Sequence, residues 1–176
     1  SMKKTFLHGD ILMNLDSEDE GELYVGCAGG IDVSAVKKYA EEKSPRAMVA
    51  YHVTAKGLKG GHSGVDIALA RANSNKVMFR FLMQAESDFK IRLSEAAGGD
   101  LRNAIPRESY SVVLVPGVKA KEFEKFVKGY DKMYKAEFAE TEPTISFTCK
   151  KTDMPEKVMN KDDQFKIIRA VFACPN

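Results

Sequence analysis

Residues 47–64 read Ala47-Met48-Val49-Ala50-Tyr51-His52-Val53-Thr54-Ala55-Lys56-Gly57-Leu58-Lys59-Gly60-Gly61-His62-Ser63-Gly64. The first ten residues alternate, with Val49, Tyr51, Val53 and Ala55 on one face and Ala50, His52, Thr54 and Lys56 on the other. A period of two marks a strand buried on one side. The glycine-rich stretch that follows is a turn. Ser63, with Asp66 three residues on, has the spacing of a capping box, which predicts a helix beginning near Gly64. Its core stripe would be Ile67, Ala70, Val77, Met78, Phe81 and Leu82.

Outward from this stretch, the same two periods recur. Lys90 to Ala97 alternates, with Ile91 and Leu93 inward, and Glu108 to Val115 is a third strand stopped by Pro116-Gly117. Ala120 to Phe138 places Phe123, Phe126, Val127, Tyr130, Met133, Tyr134 and Phe138 at helical spacing. Its charged face carries Glu124 and Lys128, and Asp131 and Lys135, four apart. Pro143 to Cys149 is a fourth strand. The order β-α-β-β-α-β predicts an α+β, ferredoxin-like fold: a four-stranded antiparallel sheet with two helices on one face. The other face, with His52, Thr54, Arg92, Ser94, Ser109 and Ser111, is expected to be polar and open.

The ends read as edges of a neighbouring structure. Short strands are expected at Ile11–Leu15 and Glu22–Cys27, around an acidic stretch from Asp16 to Glu20, with a short helix from Val33 to Glu42. A last helix carries Phe165, Ile168, Val171 and Phe172 and stops at Pro175.

The 176 residues carry 27 Lys and Arg against 25 Asp and Glu, a net charge of +2. That balance argues against a strongly basic nucleic-acid binder, and no apolar run approaches the ~20 residues of a membrane span. No nucleic-acid or membrane partner is therefore expected. Cys27, Cys149 and Cys174 form no C-x-x-C pair and read as thiols of a reducing, cytoplasmic compartment. The opening residues lack a signal-peptide pattern, since Phe6-Leu7 runs at once into His8-Gly9-Asp10.

Several residues could carry chemistry. His62 lies in a glycine-rich turn beside a predicted helix N-terminus, where backbone amides favour negative charge. It could donate to an oxyanion, or simply cap the turn. Asn103 follows a Gly-Gly turn; an amide there can contact a substrate or serve the turn alone. The stretch from Asp16 to Glu22 could hold a hard cation or be a solvated loop; it departs from the EF-hand pattern, with Cys27 at the twelfth position. His8-Gly9-Asp10 is an H-x-D with too few ligands near it for a zinc site. No nucleophilic triad, phosphate loop or dinucleotide fingerprint is present.

Three blocks now bear on family. Lys56 to Gly64, Leu101-Arg102-Asn103-Ala104-Ile105-Pro106-Arg107-Glu108, and Asp10 to Glu22 with Gly26-Cys27-Ala28-Gly29-Gly30, together with the terminal Ala173-Cys174-Pro175-Asn176, resemble the aminoacyl-histidine dipeptidases. These are di-zinc metallopeptidases with a ferredoxin-like lid inserted in a catalytic α/β domain. The resemblance implies that residues 46–150 are the lid, 1–45 an edge of the catalytic domain with its linker, and 151–176 a helix leading back to it. It implies a cytoplasmic hydrolase of Xaa-His and similar dipeptides. His62 would stabilise the oxyanion, Asn103 would contact substrate, and Asp16 would ligate one of two zinc ions in the parent enzyme. The family's own H-x-D, bridging Asp, Glu-Glu pair, distal His and carboxylate-binding Arg have no match here. No metal is therefore expected on this stretch alone, and by itself it is expected to be inactive. Implied partners are a dipeptide, the rest of the catalytic domain and, because such lids often self-associate, a second copy in a homodimer. The alternative is a stand-alone ferredoxin-like module for binding or dimerisation.

Overall fold

The structure is a computed structural model that describes residues 8–11, 13, 20–22 and 31–175. Two units separate along the chain, Ser1–Lys37 and Lys38–Asn176. In the first, the described residues form no helix or strand, and the two strands expected around the acidic stretch lie largely outside the described residues.

The second unit contains β1 (Glu41–Lys43), β2 (Met48–Lys56), β3 (Gly61–His62), α1 (Ser74–Phe89), β4 (Arg92–Gly98), β5 (Ala104–Ile105), β6 (Ser109–Pro116), α2 (Ala120–Glu137), β7 (Ser146–Lys151), β8 (Lys157–Met159) and α3 (Lys161–Ala173). Strands β4, β6, β2 and β7 pair in that order, all antiparallel. This is the expected split β-α-β-β-α-β sheet. Its inner face carries Tyr51, Val53, Ala55, Val113, Val115 and Phe147, all buried.

Aromatic packing joins the helices to that face. Phe81 of α1 is fully buried, and its ring lies 5.9 Å from Phe123, 5.5 Å from Phe126, 5.2 Å from Tyr130 and 4.9 Å from Phe147. Burying one such side chain contributes roughly 1.5–3 kcal/mol through the apolar area removed from water. Tyr134, also buried, donates its hydroxyl to the Val77 carbonyl at 2.7 Å, so the polar tip is satisfied inside the core. A third helix, α3, packs beside α1. Its Ile168 is fully buried, and its buried Gln164 accepts from the Leu93 amide at 2.8 Å and donates to the Ile91 carbonyl at 3.0 Å.

Several expectations need correction. The first helix begins at Ser74, not near Gly64, with Asn73 as its cap accepting from the amides of Asn75 and Lys76. Asp66 closes no capping box; its carboxylate accepts the His62 amide at 2.8 Å. A short 3-10 turn over Ile67–Leu69 ends at Ala70 in the left-handed region, and Ile67 is half exposed. The helix expected over Val33–Glu42 is absent: residues 31–40 have no regular structure, and Glu41–Lys43 pairs with β8. Val33 and Val36 are exposed, so a short helix there has no apolar packing to offset its nucleation. Ala40 is instead tied to the start of α3, donating to Asp163 at 2.9 Å and accepting from the Asn160 amide at 2.8 Å.

The outer sheet face is also less open than expected. Ser109 and Ser111 sit opposite Ala55 and Val53 and so share the inner face. Ser109 donates to the Ser74 carbonyl at 2.8 Å, and Ser111 to the Met78 sulfur at 3.3 Å. At one end of the outer face, β8 covers Arg92 and Ser94, which donate to the carbonyls of Met159 at 2.7 Å and Lys157 at 2.8 Å. Ala50, Leu114 and Val158 form a second, small core there. At the uncovered end, Tyr110 stacks on His52 with ring centroids 5.1 Å apart and donates its hydroxyl to Glu95 at 2.6 Å.

Candidate functional site

The glycine-rich turn leaves the end of β2 and carries β3, whose only partner among the described residues is β5. Gly61 pairs with Ile105 and His62 with Ala104. The Ser63 amide donates to the Asn103 carbonyl at 2.9 Å. Two of the residues singled out from sequence, His62 and Asn103, are therefore neighbours on one short ladder. Both are exposed. The Asn103 side chain makes no hydrogen bond among the described residues, so its amide is available to a ligand.

The His62 ring is oriented by its own loop. Its Nδ1 accepts the amides of Gly64 at 3.1 Å and Val65 at 3.2 Å. A nitrogen that accepts two N–H groups carries no proton, so the neutral ring holds its proton on Nε2. The site therefore presents an N–H donor, with the tautomer set by the backbone.

Bracing comes from Asp66 and Arg71. The Asp66 carboxylate takes the His62 amide, and Arg71 Nη1 donates to that carboxylate at 3.2 Å and to the Gly60 carbonyl at 2.6 Å. This packing requires glycine at 61. The backbone there has φ of +151°, and a Cβ would lie 2.4 Å from Arg71 Nη1 and 2.6 Å from the Asp66 carboxylate. The capping spacing of Asp66 thus serves the turn rather than a helix, and Arg71 is a further residue of the site that its own position in the sequence does not mark. The run Gly60-Gly61 followed by Asp66 and Arg71 held that signal, since two adjacent glycines imply that something approaches the backbone closely.

A cleft of about 570 Å³ adjoins the ladder, lined by Ser63, Ile67, Arg71, Leu101, Ala104 and Pro106 among others. Its walls mix apolar side chains with polar groups, as small-molecule sites do. Asp16 lies outside the described residues. Among the described residues no three His, Cys, Asp or Glu side chains cluster where they could hold a metal ion, so those residues do not fit a zinc centre. His8 and Asp10 are exposed and belong to no such cluster. No helix among the described residues is long and apolar enough to cross a membrane.

Comparison with known sequences gives the family: the profile of the peptidase dimerisation domain matches residues 53–142, and the chain belongs to that family. The cytosol non-specific dipeptidase of Escherichia coli (strain K12) is 37% identical over 175 residues. That match takes in 99% of this chain and 36% of the relative, so the chain spans about a third of its length. The crystal structure of the aminoacylhistidine dipeptidase from Vibrio alginolyticus superposes with a TM-score of 0.76 at 36% identity, over 78% of this chain and 28% of the other.

Proposed function

We propose that this chain is the lid and dimerisation domain of a cytoplasmic dipeptidase acting on Xaa-His and similar dipeptides. The observation that carries the reading is the His62 ring, held by two loop amides with its proton on Nε2, beside Asn103 on the same ladder. In that enzyme His62 donates to the carbonyl oxygen of the scissile peptide and to the oxyanion that develops there. Such a donor stabilises the transition state more than the ground state because the charge it meets exists only after attack. Asn103 contacts the substrate with its exposed amide.

Two zinc ions belong to the remainder of that enzyme, with Asp16 as one ligand. Residues 46–150 act as the lid, and 1–45 and 151–176 connect it to the catalytic part. The dipeptidase relatives support a place in a longer enzyme, since the matches take in 36% of one and 28% of the other. A second copy of the chain is its dimer partner, a reading supported by the family to which it belongs.

The test is hydrolysis of an Xaa-His dipeptide by the longer enzyme, with and without zinc, beside the 176-residue chain alone. Turnover by the zinc-loaded enzyme and none by the isolated chain is the expected result. No turnover by the zinc-loaded enzyme on any dipeptide would overturn the reading. Sedimentation of the chain tests the dimer separately.

A further inference from the structure

We propose that Glu142 is a positioning residue whose buried carboxylate clasps both stems of the loop carrying His62. The proposal rests on the reading of His62 given above and adds what holds that ring in place. Glu142 lies in the connection between α2 and β7, far in sequence from the loop, and is fully buried. One carboxylate oxygen accepts the Lys59 amide at 2.7 Å, and the other accepts the Ala72 amide at 3.0 Å. Lys59 precedes His62 on one stem of the loop, and Ala72 ends the other just before the cap of α1. A single side chain therefore closes the segment from 59 to 72.

The residue type matches the task. Two inward-facing amide donors need two acceptors, and a buried carboxylate needs donors on both oxygens. A glutamine could satisfy one stem only, and would turn its own NH2 against the other amide. Glu142 is itself fixed: its amide donates to the Phe138 carbonyl at 2.8 Å, and its carbonyl accepts from Ile145 at 3.1 Å. Thr144, two residues on, donates to the Gly57 carbonyl at 2.6 Å, where the turn begins. Between the clasped stems, the Asp66–Arg71 brace passes the constraint to the His62 amide and to Gly60. The loop is thus cross-braced inside and pinned at both ends by one carboxylate.

The experiment uses the 176-residue chain labelled with 15N, as wild type, Glu142→Gln, Glu142→Asp and Thr144→Val. Amide hydrogen exchange reads the stems, and the His62 ring signals read the position of the side chain. In Glu142→Gln the Lys59 and Ala72 amides exchange about tenfold faster or more, as expected for loss of a charge-assisted bond. The His62 signals shift, and the sheet amides of Val53 and Val113 keep their protection. Glu142→Asp, shorter by one methylene, is the milder variant: it releases one stem and moves the ring signals less, in the same direction. Thr144→Val cuts only the link at Gly57 and leaves the His62 signals in place. Unchanged exchange at both stem amides, or unmoved His62 signals, in the Gln and Asp variants would overturn the proposal. So would equal acceleration at Val53 and Val113, which would make Glu142 a general support of the fold. None of these readouts needs hydrolysis, so they fail independently of the dipeptidase reading. That reading fails instead on the turnover of the longer enzyme.

Discussion

Ser63 donates its amide to the carbonyl of Asn103 at 2.9 Å, next to the rung where His62 faces Ala104. This bond joins the two loops that the sequence left apart, and it puts a proton donor and a free side-chain amide within one small surface. Each loop alone is an ordinary turn. Together they bring a ring N–H and an exposed side-chain amide to one short ladder.

Gly57 leaves no room for a side chain. Its φ is +79°, and a Cβ would sit 2.2 Å from the carbonyl oxygen of Thr144, a backbone atom that cannot swing away. Gly57→Ala is expected to destabilise the chain by about 1–3 kcal/mol, the usual magnitude for a side chain forced into a sparsely allowed conformation. Urea denaturation followed by circular dichroism measures it. A midpoint equal to wild type would show that the turn relaxes freely.

Phe81 stands at the centre of the aromatic cluster that joins α1, α2 and β7. Phe81→Ala opens a cavity among rings that cannot all move inward. The expected loss is about 3–5 kcal/mol in equilibrium unfolding. A loss below about 1 kcal/mol would mean that the neighbouring rings collapse into the space.

Cys149, half-buried on β7, has a thiol pushed up from 9.0 to about 11, first by burial and then by the nearby Glu124 carboxylate, with Lys128 opposing. The thiol in the unfolded chain ionises first. Its contribution to stability is therefore fully present below pH 9 and is lost as pH rises towards 11. Reactivity follows the same shift, since the thiolate is the nucleophile. At pH 8, Cys149 is expected to react with an alkylating reagent far more slowly than the exposed Cys174, and to speed up about tenfold per pH unit between 9 and 11. Mass spectrometry of the alkylated peptides gives both rates. Equal rates at pH 8 would contradict the assignment.

The sheet and its two covering helices were legible because their residues obey one period each. Val53 and Ala55 repeat every second residue, Phe123, Val127 and Tyr134 follow the turn of a helix, and each buried face has only one way to lie. The start of α1 was not legible. Ser63 and Asp66 have capping spacing, but the competing partner of Asp66 is the amide of His62, and the short 3-10 turn that follows stops at Ala70 in the left-handed region with Ile67 and Leu69 exposed. Ser109 and Ser111 misled because polar residues at the strand's inner positions satisfy their hydroxyls inside the core, on Ser74 and Met78. Of the site, His62 and Asn103 could be picked out by their turns and by family resemblance. Arg71 showed only through the adjacent glycines it packs against, and Glu142 could not be found, since it stands in no pattern and acts through backbone amides far away along the chain.

The most direct test of the central claim is the turnover of the longer enzyme with His62→Ala, measured beside its zinc content. The expected result is a fall in kcat of about 10²–10³, the typical effect of removing one oxyanion donor, with zinc unchanged. An unaltered kcat would show that the Nε2 proton of His62 plays no part in the reaction.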